Sequence, residues 1–427
     1  MQTTTFSFLI SFFLFYLTLV IIVAEATVPS SKTFTFVNQG EFGEYSVEYQ
    51  ADYRLVTGLF TDPFAICEST MKWVWDANRG NLVKEGAKLS FGVDGNLVLA
   101  DVDGRIAWQT GTVNKGVVGI SLLSSGNLVL YDNSNKFIWQ SFDYPSDTLL
   151  PEQSLRRGGP TALVSRVSYM DGSKGPYSFF MGTKTLAMSL KSKNSPKPIV
   201  YHQYKSLERQ DGTLSSVTFE STPENGEPYA YRLQFRMLIG NETFGLTGIV
   251  GRPKYNSTFS MLRVESDGSL KAYTYYDKVD EGRWDITYSL FDKNGDAHST
   301  SECQLPTRCG SLGVCEDSQC VACPRPQGLL GWSKACAPPS LPACKSGGSL
   351  NARYYKVVGV DHFMDAYNQG EGPMKVSQCR DKCDKDCGCL AFFYKEKSSM
   401  CLLAPVLGTL TQVTNSSHVG VYQNEIR

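Results

Sequence analysis

Asp94-Gly95-Asn96-Leu97-Val98-Leu99 is followed 31 residues later by Ser125-Gly126-Asn127-Leu128-Val129-Leu130, nearly the same sentence written twice. Each copy leads to a tryptophan, Trp108 and Trp139, and Trp75 stands ahead of them at a similar interval. Self-similarity at a period of a few tens of residues marks supersecondary units that cannot bury an apolar face alone and must stack or close on one another. Gly-Asn before an apolar run reads as a turn feeding a strand, and Ile106-Ala107-Trp108 and Phe137-Ile138-Trp139 read as the returning strands. Residues 45 to 150 are therefore expected to be all-β.

Working outward, Trp73-Val74-Trp75-Asp76-Ala77-Asn78-Arg79 precedes the repeats and Trp139-Gln140-Ser141-Phe142-Asp143-Tyr144-Pro145-Ser146-Asp147-Thr148-Leu149 follows them. Together these motifs resemble the bulb-type mannose-binding lectin domain of plants. Over most of the chain after residue 45 the sequence is similar to the secreted EP1-like glycoproteins, themselves similar to S-locus glycoproteins and lectin receptor kinase ectodomains. The resemblance implies a β-prism of three four-stranded faces, with Trp75, Trp108 and Trp139 buried at its centre as core rather than ligand contacts.

The family's sugar site is a strand reading Gln-x-Asp-x-Asn-x-Val-x-Tyr, and alternate residues of a strand share a face, so five side chains meet one monosaccharide. Carried onto this chain, the first site keeps Asp94, Asn96 and Val98 but has Gly92 and Ala100 at its ends. The second keeps Asn127, Val129 and Tyr131 but has Leu123 and Ser125 where glutamine and aspartate belong. Two lost hydrogen bonds at roughly 0.5 to 1.5 kcal/mol each weaken a shallow sugar site by roughly one to two powers of ten. Asp-Gly-Asn and Ser-Gly-Asn are also good turns in their own right, so Asn96 and Asn127 are open to a second reading, as builders of the hairpins. The resemblance also implies a further strand between Tyr53 and Trp75, whereas here Pro63-Phe64-Ala65-Ile66-Cys67 runs almost directly into Met71-Lys72-Trp73. A short first face is the expectation.

Residues 1–26 read as an export signal: Phe6 to Val23 is an apolar run of 18 residues followed by Ala24-Glu25-Ala26, a small-x-small cleavage pattern. An uncleaved anchor is the competing reading, since the run approaches a membrane span and no Lys or Arg precedes it. No later stretch approaches a span, so no membrane segment is expected after signal cleavage. The 427 residues fit several domains, and 41 basic against 42 acidic residues leave a formal net charge of -1, which favours neither nucleic acid nor an anionic membrane. The sequons at Asn241, Asn256 and Asn415 would accept glycans in a secreted chain.

Arg156-Arg157-Gly158-Gly159-Pro160 reads as a linker, after which strand-like runs resume at Tyr177 to Phe180, Leu186 to Leu190, Tyr229 to Phe235, Met261 to Val264 and Lys271 to Tyr276. Asp267-Gly268-Ser269-Leu270 echoes the opening motif, and the sugar pattern falls on Glu265, Asp267, Ser269, Lys271 and Tyr273. Only Asp267 and Tyr273 are of the right type, so this region reads as a second, degenerate lectin-like domain.

Twelve of the 13 cysteines lie after residue 300, which behind an export signal reads as a disulfide framework. Cys303, Cys309, Cys315, Cys320, Cys323 and Cys336 allow fifteen pairings. Their spacing resembles the EGF-like module of S-locus glycoproteins, which implies Cys303 with Cys315, Cys309 with Cys320 and Cys323 with Cys336. A zinc site at Cys320-Val321-Ala322-Cys323 is the rival, disfavoured by an oxidising compartment and the lack of a nearby histidine. Cys344, Cys379, Cys383, Cys387, Cys389 and Cys401 follow. Cys379 and Cys383 share one side of a helix expected from about Ser377, with strands at Leu390 to Tyr394 and Met400 to Leu403, a pattern resembling a PAN domain. Twelve late cysteines form six bridges and leave Cys67 unpaired and buried.

The architecture expected is mainly all-β, with tandem β-prism domains followed by a disulfide-rich module and an α+β domain. Its segments are 1–26 signal, 27–157 bulb-type lectin, 158–299 lectin-like, 300–343 EGF-like and 344–427 PAN. His202, His298, His362 and His418 are scattered without a nucleophile, acid or metal set around them, so neither enzyme, metal nor cofactor is expected. Two functions stay open. One is a secreted, cell-wall or apoplastic glycoprotein binding mannose-type glycans weakly, or having lost the sites. The other is an interaction or signalling component that binds wall or surface proteins, like a receptor ectodomain without its kinase.

Overall fold

A computed structural model describes residues 27–38, 56–59, 72–169, 171–204, 212–224, 227–255, 259–276, 283–293, 300–338, 353–413 and 420–425. The export signal, Cys67, Cys344, Asn256, Asn415, His298 and His418 lie outside the described residues. Those described are organised mainly as strands in small antiparallel sheets and fall into two compact units, one formed by residues up to 55 together with Ala77–Tyr144, the other by Val56–Asp76 and the chain from Pro145 onwards.

In the first unit, Phe34–Val37, Lys88–Phe91, Leu97–Ala100 and Ile106–Gln109 form a four-stranded sheet, and Gly119–Leu122, Leu128–Tyr131 and Phe137–Gln140 a three-stranded one. The sequence repeat is a structural repeat. Leu99 pairs with Trp108 and Leu130 with Trp139, each next to a register shift one residue further on. The two turns are closed by matching bonds, Gly95 N–H to the Gly92 carbonyl and Gly126 N–H to the Leu123 carbonyl. Both glycines adopt positive φ, 76° and 84°, which a side chain resists. At Gly95 a Cβ would also stand 2.7 Å from that of Val117. Trp108 and Trp139 meet edge to face with ring centroids 5.7 Å apart, the arrangement favoured by aromatic quadrupoles.

In the second unit Trp75 is buried on the strand Lys72–Asp76, which pairs with Val56–Leu59 in a sheet of two strands among the described residues. The rest of the stretch between Tyr53 and Trp75 expected to shorten the first face, residues 54–55 and 60–71, lies outside the described residues. Three four-stranded sheets follow, ending in the strands Arg283–Ser289, Glu242–Gly251 and Ile199–Gln203, and the runs foreseen between Tyr177 and Tyr276 all lie within their strands. Their inward residues, among them Leu163, Phe179, Tyr201, Phe219, Tyr231 and Leu262, share one core. Leu186–Leu190 is buried at all five positions and so reads as a plain apolar run with no alternation. Arg156–Pro160 is a tight turn inside this unit rather than a linker: Gly158 takes φ 74°, and the Arg156 N–H bonds to the Pro160 carbonyl at 2.7 Å.

The cysteine-rich remainder holds two further sheets. Leu312–Glu316 pairs in parallel with Gly408–Gln412, so a five-stranded sheet joins both cysteine blocks. The helix Val376–Lys385 starts one residue earlier than expected. Its first turn is closed by the Gln378 side chain, which accepts from the Lys375 N–H at 2.8 Å, leaving Ser377 inside the helix. Cys379 and Cys383 are buried on one side and pair with Cys401 and Cys389. Cys387 is disulfide-bonded as well.

Candidate carbohydrate site

The two asparagines of the repeat are buried, 4% exposed each, and are engaged by the chain itself in the same way. Asn96 Nδ2 donates to Gln109 Oε1 at 2.9 Å, while its Oδ1 accepts from Thr110 Oγ1 at 3.0 Å and from the Thr112 N–H at 3.1 Å. Asn127 Nδ2 donates to Gln140 Oε1 at 2.9 Å, and its Oδ1 accepts from Ser141 Oγ and the Phe142 N–H, both at 3.2 Å. A primary amide has two donor and two acceptor positions, so three of the four are taken within each hairpin. Thr110 and Ser141 also accept from the N–H of Leu97 and Leu128, stitching the strand after the turn to the segment after the tryptophan.

This lock carries a sequence signature that the reading of the chain missed. Trp108-Gln109-Thr110 and Trp139-Gln140-Ser141 stand at the same distance behind their asparagines. A glutamine followed by a hydroxyl residue at that spacing is what the buried amide requires.

The other residues of the sugar pattern sit on the same hairpins. Asp94 Oδ1 accepts from the Asn96 N–H at 3.1 Å, the bond that makes an Asx turn, and Val98 is half-buried. Val129 is buried. Tyr131 is half-buried and lies across its cross-strand partner Gly119, where a Cβ would come within 2.6 Å of the ring, and Lys32 Nζ stands 5.9 Å from the Tyr131 ring centroid. The structure thus keeps Asp94, Asn96 and Val98 together in one hairpin and Asn127, Val129 and Tyr131 together in the other.

The echo at Asp267 builds the same turn, with the Gly268 N–H on the Glu265 carbonyl and Gly268 at φ 86°. Asp267 Oδ1 accepts from the Ser269 N–H and hydroxyl at 2.8 and 2.6 Å. The Tyr273 hydroxyl donates to Glu265 Oε1 at 2.7 Å, and Lys72 Nζ lies 4.9 Å from the Tyr273 ring centroid. Burial, reinforced by the Glu265 charge, raises the Tyr273 pKa, so the phenol keeps its proton; burial and then the Arg263 charge lower that of Lys72.

Beside this turn lies an ion network that the sequence does not announce. Asp147 is fully buried, accepts from Arg166 Nε at 2.7 Å and from Thr148 Oγ1 at 2.8 Å, and stands 4.0 Å from Arg263 Nε. Arg166 also reaches Asp76 at 3.6 Å, and Arg263 donates to the Trp73 carbonyl. Burial works against the Arg166 cation, but Asp147 and Asp76 outweigh it and hold its pKa above the ordinary value.

The remaining candidates lie in the second unit. Cys303–Cys315, Cys309–Cys320 and Cys323–Cys336 are the pairs the resemblance implies, so both sulfurs of the zinc rival are committed to disulfides. Asn241 is exposed at a hairpin tip. His362 is buried with Nε2 2.9 Å from the carbonyls of Val406 and Leu407 and Nδ1 accepting from the Met364 N–H; His202 is buried among Tyr204, Phe291 and Tyr367. His202 Nδ1 lies 3.3 Å from Thr300 Oγ1.

Comparison with known proteins finds similarity along most of the chain. The family of D-mannose binding lectins matches residues 70–167. The chain is 43% identical to EP1-like glycoprotein 2 of Arabidopsis thaliana over 97% of its own length and 98% of that protein's. It is 47% identical to the epidermis-specific secreted glycoprotein EP1 of Daucus carota, over 78% of this chain and 92% of that one. It is also 26% identical to a G-type lectin S-receptor-like serine/threonine-protein kinase of Arabidopsis thaliana, over 80% of this chain but 37% of the kinase.

Proposed function

Because the chain belongs to the EP1-like glycoproteins, we propose that it is a secreted, non-enzymatic glycoprotein of the cell wall or apoplast whose lectin hairpins bind mannose-type glycans weakly or no longer bind them. The observation that carries this reading is the matched lock on Asn96 and Asn127. Three of the four bonding positions of each amide are occupied inside the hairpin, which leaves little to offer a sugar. The departures at Gly92, Ala100, Leu123 and Ser125 act in the same direction. In the third turn the end residues of the pattern, Glu265 and Tyr273, bond to each other.

On this reading residues 1–26 are the export signal, and the chain after it carries a lectin domain, a degenerate lectin-like partner whose sheets begin at Thr148, an EGF-like module and a PAN domain, in that order. The alternative is a component that binds wall or surface proteins. It is favoured by similarity to receptor-like kinases that extends over 80% of this chain. A mannoside-bearing glycan array separates the two. Weak mannoside signals that fall in Asn96→Ala and Asn127→Ala support residual sugar binding. No signal from the folded protein, and no change in the variants, leaves protein partners as the function.

A further inference from the structure

Among the described residues the strand Glu242–Gly251 is the outer strand of its sheet and pairs with Glu227–Ile239 alone. The two are joined by the turn Gly240-Asn241, closed by the Ile239–Glu242 pair, with Gly240 at φ 60° in the first central position. Every residue from Leu238 to Gly245 is exposed, including Leu238 at 37%, Ile239 at 37% and Phe244 at 46%. From Thr243 to Gly251 there is neither a charged residue nor a proline. An outer strand offers a row of unpaired backbone groups, and proteins blunt such edges with charge, proline, bulges or a cover. This one has Glu242 at its start and a bulge at its far end, where a Cβ on Gly251 would stand 3.2 Å from the Thr287 carbonyl, but its half nearest the turn has neither charge nor proline beyond Glu242, and that apolar tip belongs to the kind of patch that marks an interaction or an aggregation site.

The sequence at the tip is Asn241-Glu242-Thr243, a glycosylation sequon. We propose that Asn241 carries an N-linked glycan that covers the apolar tip and guards the outer strand against pairing with a second copy of this chain. The inference rests on the secreted reading above. The acceptor is an amide on an exposed two-residue turn. Its nitrogen bonds to the anomeric carbon of a polyprenyl-diphosphate-linked oligosaccharide, the anomeric carbon–oxygen bond breaks, the diphosphate leaves with the electron pair, and one amide proton is released. Strand geometry advances about 3.3 Å per residue, so Leu238, Ile239 and Phe244 all lie within about 10 Å of Asn241 along the hairpin, under the first sugars. A bulky, hydrated glycan there covers the exposed tip, which the bulge at the far end of the strand does not reach.

The test is glycopeptide mapping of the full chain exported from a plant cell culture, followed by sedimentation of wild type, Asn241→Gln and Thr243→Ala. The expected result is a glycan on Asn241, a wild-type monomer, and loss of the monomer with increased binding of an apolar dye in both variants. Adding Phe244→Lys to Asn241→Gln restores the monomer. Enzymatic trimming of the native glycoprotein gives the same loss without dependence on folding of a variant. A bare Asn241 in a chain glycosylated at Asn256 or Asn415 overturns the proposal alone, whereas a chain bare at all three sequons overturns it together with export. A glycan at Asn241 whose removal leaves the monomer and the dye signal unchanged overturns the guarding role.

Discussion

Mild acid should loosen the second unit through two histidines that have no part in binding. His202 and His362 are buried, and burial lowers the pKa of each from 6.5 to about 4. Their folded values lie below the unfolded ones, so above about pH 6.5 both are neutral in either state and nothing is lost. As the pH falls below that value the unfolded chain takes up protons that the folded chain refuses, and stability declines until the folded value near 4 is reached. At about 1.4 kcal/mol per pH unit, each histidine removes about 2 kcal/mol between pH 7 and 5, and the pair about 4. That is a large part of the roughly 5 to 15 kcal/mol that holds a typical domain. Asp101 and Asp132 act in a different window. Their carboxyls are held below the ordinary value, first by the Lys84 N–H and the Ser134 hydroxyl respectively, so their contribution is present above about pH 4 and is lost only as the pH falls further. The assay is urea unfolding at pH 7, 6 and 5 and constant ionic strength, on wild type, His202→Gln and His362→Gln. Wild type should weaken steeply below pH 6.5, and each variant, whatever its stability at pH 7, should show about half that slope. Slopes identical in all three proteins would refute the reasoning.

Two other outcomes follow from the geometry. Arg166→Met or Asp147→Asn breaks a buried charge network while leaving a partner uncompensated, and thermal or urea unfolding should register a loss of about 3 to 5 kcal/mol; a loss under 1 kcal/mol would show that water reaches the site. Asn96→Ala and Asn127→Ala should each cost about 1 to 3 kcal/mol of stability, because the Gln109 or Gln140 side chain and a hydroxyl lose their buried partner; full stability in both would make the asparagines ligand groups instead of hairpin locks.

The hairpins are legible in the sequence because their determinants are local. A glycine is needed where φ is positive, an Asp or Asn takes the turn bonds, and a short apolar run, Leu97–Ala100 or Leu128–Tyr131, follows the turn. The EGF-like pairings are legible for a related reason, since each bridge spans only 11 to 13 residues and the spacing carries the pattern. The ion network is not. Asp147 lies 19 residues from Arg166 and 116 from Arg263, and nothing near any of the three marks it as one member of a set. The sheet shared by both cysteine blocks is hidden likewise, because Leu312–Glu316 and Gly408–Gln412 become neighbours only through the closed fold. The asparagine lock falls between these cases: its partners are 13 and 14 residues away and repeat in both copies, but glutamine and serine are too common to be noticed without the coordinates.

The same residue types serve two roles in these hairpins, and hydrogen-bond valence separates them. A sugar held at a strand surface needs donors and acceptors that are unspent before it arrives, since a bond broken inside the protein to make one to the ligand gains nothing net. In the first two turns the asparagine amides bond to the segment after the tryptophan, and in the third the pattern's end residues bond to each other across the hairpin. The hydroxyl end of the Tyr131 ring lies over Gly119, in space that a side chain would otherwise occupy. On the proposed reading the asparagine and tyrosine–glutamate hydrogen bonds strengthen the sheet and withhold the same groups from a ligand. On that reading these polar residues have a role independent of sugar: Asn96 and Asn127 each hold a hairpin to the segment after its tryptophan.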